Sequence, residues 1–79
     1  MQLNLTERVK EILAEELNVG SVGDSAKQED YAEWDSLTYM RVVAAVESSF
    51  NIDITAENIN KFNSVENIVK EIAKAHDHR

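Results

Sequence analysis

The sequence predicts an all-α domain, a small four-helix bundle of three longer helices and one short one with a long loop after the first. Three observations carry that prediction. Apolar residues recur at helical spacing in separate stretches. Pro is absent, and the only two Gly, Gly20 and Gly23, lie close together. Each periodic stretch opens on a residue suited to a helix N-cap. At 79 residues the chain is long enough for one domain, 1–79, and too short for two. So small a core leaves little stability in reserve, so long apolar residues are expected inside.

The first element runs from Asn4 to Leu17, with Leu5, Val9, Ile12, Leu13 and Leu17 at i, i+4, i+7, i+8 and i+12. That is one stripe of an amphipathic helix. Asn4 followed by Glu7 resembles a capping box. From Asn18 to Asp35 no helical period is present; both Gly and many polar residues mark a loop, with Val22, Tyr31 and Trp34 expected to pin it across the bundle. Loops of this length in compact domains tend to be functional.

Ser36 to Phe50 is the strongest helical stretch. Leu37, Met40, Val43, Ala44, Val46 and Phe50 give a wide apolar face, which Val42 and Ala45 widen further. Asp35 and Ser36 both suit its N-cap. The helix is more apolar than a surface helix requires, so it is either central or offers part of its apolar face to a partner. Thr55 is expected to cap a short helix, Ala56 to Lys61, anchored by Ile59 and Phe62. Ser64 is expected to cap a last helix from Val65 to about Ala75, with Val65, Ile68, Val69, Ile72 and Ala73 inward.

Charge narrows the function. Fifteen acids against eight bases give −7. Between Asp24 and Glu57 there are eight acids (Asp24, Glu29, Asp30, Glu33, Asp35, Glu47, Asp53, Glu57) and two bases, Lys27 and Arg41, so the middle segment alone carries −6. Such a field disfavours nucleic acid and anionic membranes and favours partners with basic docking surfaces. No apolar run is long enough to span a bilayer and no secretory signal pattern opens the chain, so a cytoplasmic protein without membrane insertion is expected. Cys is absent, and His76 and His78 lie in a polar tail that reads as a solvated end, so no metal is expected.

Ser36 lies in Glu33-Trp34-Asp35-Ser36-Leu37. As a nucleophile in its own right it would need a neighbouring base, and both His lie in the tail. A Ser at a helix N-terminus is, however, well placed to hold a phosphate-linked group. The stretch from Trp34-Asp35-Ser36-Leu37 through Glu47-Ser48-Ser49-Phe50 to Ile54 resembles the central part of acyl carrier proteins, with their Asp-Ser-Leu, a helix ending in Glu-x-x-Phe, and an Ile beyond a short turn. The resemblance covers nearly the whole chain, because the flanking helices and long loop fit the same architecture.

It implies a protein that is not an enzyme but carries covalent phosphopantetheine on Ser36, placed there from coenzyme A by a phosphopantetheinyl transferase. An acyl-loading ligase and acyl-transferring or acyl-modifying enzymes are the further partners it implies. Asp35 and Leu37 are implied beside the attachment point. Met40, Arg41, Ala44, Glu47, Asp53, Ile54 and Glu57 are implied, or offered by position, as the partner-binding surface of a monomeric carrier. Met40, Ala44 and Ile54 equally suit a core, Glu47 and Glu57 equally suit solvated charges, and Arg41 equally suits pairing with Glu57 or near Glu47. Carriers of primary fatty acid synthesis usually have Gly before Asp-Ser-Leu and more acids along the helix that follows. Trp34, Arg41, Ser48 and Ser49 depart from that pattern, and the Glu33-Trp34-Asp35-Ser36-Leu37 form resembles stand-alone carriers of specialised pathways. Two alternatives stay open: an aminoacyl carrier of the peptidyl or D-alanyl type, and an acidic helical interaction module that is never modified.

Overall fold

The computed structural model describes residues 4–77. Among them are three α-helices, α1 (Leu5–Leu17), α2 (Ser36–Phe50) and α3 (Val65–Asp77), two 3-10 turns, Gln28–Asp30 and Ile59–Lys61, and no strand. The helices begin and end on residues chosen for the task. Asn4 Oδ1 accepts from the N–H of Thr6 at 2.9 Å and of Glu7 at 3.3 Å. The reciprocal arm of the expected capping box is replaced by a Glu7–Lys10 pair at 3.3 Å. Ser64 Oγ caps α3 by accepting from the N–H of Asn67 at 3.1 Å. α1 and α2 each stop at an Asn in the left-handed region, Asn18 at φ 59° and Asn51 at φ 55°. Asn tolerates that conformation better than other residues with a side chain.

The core forms where the three apolar stripes meet. Val9 and Leu13 from α1, Val42 and Val46 from α2, and Ile68 and Ile72 from α3 are all fully buried. The wide apolar face expected for α2 is divided between core and solvent. Val42 sits at the centre of the inward face beside Val43 and Val46, whereas Leu37, Met40 and Ala44 are exposed. At 100° per residue the mean directions of these two sets lie about 150° apart, so α2 cannot bury both against α1 and α3. Ala73, expected inward on α3, is likewise exposed.

The expected short helix from Ala56 to Lys61 is a correction: only the 3-10 turn Ile59–Lys61 forms there. Thr55 does not cap it. Its N–H and hydroxyl instead donate to Asn58 Oδ1, at 2.9 and 3.1 Å. A segment this short cannot repay helix nucleation, and Asn side chains offer the backbone competing turns. Among the described residues the bundle therefore has three α-helices, with fully buried Phe62 and partly buried Ile59 packed into its core.

The loop from Asn18 to Asp35 is fastened at several points. Val22, Ala26 and Trp34 are buried, and Tyr31 is partly so. Gln28 N–H donates to the Asn63 carbonyl at 2.8 Å, and Val65 N–H to the Ala26 carbonyl at 3.0 Å, tying the loop to the start of α3. Lys10 reaches Asp24 at 2.7 Å. That bond, and then Glu7, hold the ammonium above its ordinary range, although exposed pairs of this kind add little stability.

Trp34 is the largest of the fully buried side chains, and its indole Nε1 has no hydrogen-bond partner among the described residues. The ring thus contributes a large packing gain against the penalty of an unpaired buried donor. Trp34→Ala is expected to cost about 3–5 kcal/mol, whereas Trp34→Phe recovers part of the lost packing by sparing the unpaired N–H, worth about 1–3 kcal/mol. Urea unfolding of both variants checks the order: Trp34→Phe should lie clearly nearer the parent.

Candidate functional site

The site is built where the long loop becomes α2. Trp34 is buried, and two residues later Ser36, the first residue of α2, is exposed. The main chain between them is held on both sides: Trp34 N–H donates to the Tyr31 carbonyl at 3.1 Å, and the Trp34 carbonyl accepts from Gln28 Nε2 at 2.9 Å. Asp35 is the N-cap of α2, its Oδ1 accepting from the N–H of Thr38 at 2.9 Å. That backbone bond, followed by one to the Thr38 side chain, holds the Asp35 carboxyl below the usual carboxylate range. Ser36 therefore stands in the first turn of a capped helix, where backbone N–H groups lack helical acceptors and an anion is favoured.

One turn along, the Tyr39 hydroxyl ties α2 to the segment that replaces the short helix. It donates to the Ile59 carbonyl and accepts from the N–H of Phe62 at 3.0 Å. Burial pushes the phenol above its ordinary value, opposed by the Phe62 N–H, so it stays a neutral donor through physiological pH. Between α2 and the second 3-10 turn lies an open cleft of about 420 Å³, lined by Gln28, Ser36, Tyr39, Met40, Ile59, Asn60 and Asn63.

The residues singled out from the sequence fall into distinct settings. Asp35, Ser36 and Leu37 are consecutive and exposed, with Leu37 at 65% and Met40 at 50% of their full accessibility. Ala44 continues that exposed line one turn beyond Met40, so neither Met40 nor Ala44 is core. Arg41 is exposed and forms no ion pair with Glu47 or Glu57 among the described residues. Glu47 is half-buried, and its Oε2 accepts from the N–H of Ile54 at 2.8 Å, closing the turn after α2. Ile54 is half-buried against the core, while Asp53 and Glu57 are exposed. Gln28, Asn60 and Asn63 were not singled out by sequence; they reach the cleft by long-range packing and carry no local signal. Tyr39 did have one, being three residues after Ser36 on the same helical face.

His76 lies on α3 beside the far end of α2, with its Nε2 3.4 Å from the Phe50 carbonyl. His78, the other member of the tail pair, lies outside the described residues. Among the described residues no cluster of three metal-ligating side chains is present, and no helix is long and apolar enough to cross a membrane.

The family model described as a phosphopantetheine attachment site matches residues 7–72, from the first turns of α1 to the middle of α3. The chain belongs to this family, and phosphopantetheine is the group it carries covalently. The residues present fit such a group: an exposed hydroxyl at a helix start favours a phosphodiester, and the adjoining cleft combines apolar side chains with amides.

Asp35 has a pH signature. Its carboxyl is depressed in the folded state, so its contribution to stability is complete above the ordinary Asp value near ~3.9 and is lost as pH falls through the lower folded value. The melting temperature of Asp35→Asn should lie below the parent's near neutrality, and the gap should narrow as pH drops below about 4. Thermal melts of the two proteins across pH 2.5–7 (a range of about five units) read this directly.

Proposed function

We propose that the chain is a stand-alone acyl carrier, a single domain over 1–79, in which Ser36 bears the phosphopantetheine arm. The observation that carries this reading is the exposed hydroxyl of Ser36 at the capped start of α2, directly after the buried Trp34, inside the span matched by the attachment-site family. In modification the Ser36 oxygen forms a new bond to the phosphorus of coenzyme A that bears the pantetheine, and the bond from that phosphorus to the bridging oxygen breaks. Adenosine 3′,5′-bisphosphate leaves, and the serine proton passes to a base of the transferase. The attached group ends in a thiol that holds an acyl chain as a thioester.

The chain itself supplies position and surface. Asp35 keeps the first turn capped, and Leu37, Met40 and Ala44 present an exposed apolar strip to partners. Arg41, Asp53 and Glu57 are exposed, and Glu47, with one oxygen used by Ile54, adds charge and fixes the turn that carries Ile54. An apolar strip with an acidic rim suits quick, reversible docking on basic surfaces: those of a phosphopantetheinyl transferase, an acyl-loading ligase and acyl-transferring enzymes. A carrier that offers one arm to successive enzymes works best as a monomer, and the cytoplasm is its proposed location. Ser36 does not act as a catalytic nucleophile in this reading: His76 lies at the other end of a 15-residue helix, about 20 Å away along its axis.

Incubation with coenzyme A, magnesium and a broad-specificity phosphopantetheinyl transferase should add one phosphopantetheinyl group to the intact mass. Ser36→Ala should gain nothing. A parent that gains no mass with several transferases would point to an unmodified interaction module. Loading of the modified protein by amino-acid-activating ligases in preference to acyl ligases would make it an aminoacyl carrier.

A further inference from the structure

The solvent face of α2 differs in charge from the rest of the molecule. The chain carries −7, yet the exposed side chains of α2 include a single charged group, and it is a cation, Arg41. Leu37, Met40, Arg41, Ala44 and Ser48 are all exposed, and at 100° per residue they fall within an arc of about 100°. Glu47, the other charged residue of α2, is half-buried and bonded to the Ile54 N–H.

Arg41 has no acid to pair with on its own helix. The positions three and four residues away hold Leu37, Thr38, Ala44 and Ala45. Cations on α1 and α3 are placed differently: Arg8 pairs with Glu11, Lys10 with Glu7 and Lys74 with Glu71, each three residues apart. No acid from another element reaches Arg41 either, since it forms no ion pair among the described residues. It stands as a lone guanidinium within an apolar strip.

An enzyme cannot cover that strip without covering Arg41. Leu37 lies four residues before it and Ala44 three after, so both share its face. Burying a guanidinium against a purely apolar surface is costly unless it is paired and hydrogen-bonded. Setting it against a lysine or arginine adds like-charge repulsion where water has been excluded. A carboxylate removes both costs: its oxygens match the planar fork of the guanidinium, and its charge cancels the cation. Glu29 and Glu33 before α2, and Asp53 and Glu57 after it, are exposed and still suit basic groups. The two ends of the helix and its middle therefore ask for opposite charges.

We infer that Arg41 makes α2 selective among enzymes. Its solvent face fits an enzyme surface that sets an Asp or Glu side chain, within an apolar patch, opposite the middle of the helix. It turns away surfaces that are basic throughout. This rests on the carrier reading and narrows its partners from basic surfaces in general to those with a carboxylate at that point. Selectivity of this kind is a difference between affinities, gained by repelling the wrong partner as well as attracting the right one.

The probe is a broad-specificity phosphopantetheinyl transferase with a basic docking surface. Intact mass and kcat/KM are recorded for the parent, Arg41→Gln and Arg41→Glu, each confirmed as folded by circular dichroism. At low salt kcat/KM should rise in that order, with Arg41→Glu about three- to tenfold above the parent and the change carried by KM. Salt at about 0.5 M should bring the three to within about twofold of one another. A photo-crosslinking residue in place of Arg41 should capture the transferase, and peptide sequencing then names the basic residue it meets. Changing that residue to Glu should invert the order, making the parent the better substrate. If neither the parent nor Arg41→Glu gains mass, the carrier reading falls and this proposal with it. Three results overturn the role of Arg41 alone. One is a parent modified as fast as Arg41→Glu, another a crosslinker at position 41 that captures nothing. The third is an order that the altered transferase leaves unchanged.

Discussion

The burial of one indole organises the functional end of this molecule. Eighteen residues separate α1 from α2, and a loop of that length would leave the start of α2 poorly located if nothing held it. Trp34 holds it. Its ring lies in the core, its main chain is bonded to Tyr31 and Gln28, and Ser36 comes into solvent two residues later. The unpaired indole N–H is the penalty accepted for that anchor, and packing of so large a side chain outweighs it. Gly20 and Gly23 flank the buried Val22 earlier in the loop, with open space around both.

From that anchor the two sides of α2 acquire different duties. Val42, Val43 and Val46 join the core, and Leu37, Met40 and Ala44 face solvent. A helix with apolar groups on both sides would be a liability unless one side were used, and a strip beside the proposed attachment point gives it a use. The acidic middle segment also divides. Asp24, Asp30, Asp35 and Glu47 hold Lys10, the Lys27 N–H, the Thr38 N–H and the Ile54 N–H. Glu29, Glu33, Asp53 and Glu57 are exposed. Three of the segment's eight acids therefore fix backbone N–H groups, Asp24 pins the loop to α1 through Lys10, and the remainder contribute chiefly through their field.

Much of this was legible in the sequence because it depends on local rules. The stripe Leu5–Val9–Ile12–Leu13–Leu17 specifies α1 by spacing, Asn4 and Ser64 specify caps by chemistry, and Asp-Ser-Leu followed by Glu-x-x-Phe carries the family resemblance. Three features were not legible. The rotation of α2 depends on which apolar residues α1 and α3 can reach, and Val42 and Met40 look alike in composition. The segment at Thr55 holds cap-like residues, but Asn58 turned back on Thr55 where a helix was expected. The cleft brings Gln28 to Asn60 and Asn63 across more than thirty residues of chain, through contacts such as Gln28 N–H to the Asn63 carbonyl at 2.8 Å.

Where the arm sits is read most directly by peptide mapping of the modified protein. Trypsin, cutting after Lys27 and Arg41, releases residues 28–41, in which Ser36 is the only serine. Ser21, Ser25, Ser48, Ser49 and Ser64 fall in other peptides. The phosphopantetheinyl mass should appear on the 28–41 peptide alone, with fragment ions placing it on Ser36. The same mass on a peptide bearing any other serine would contradict the assignment, and with it the functional role of the start of α2.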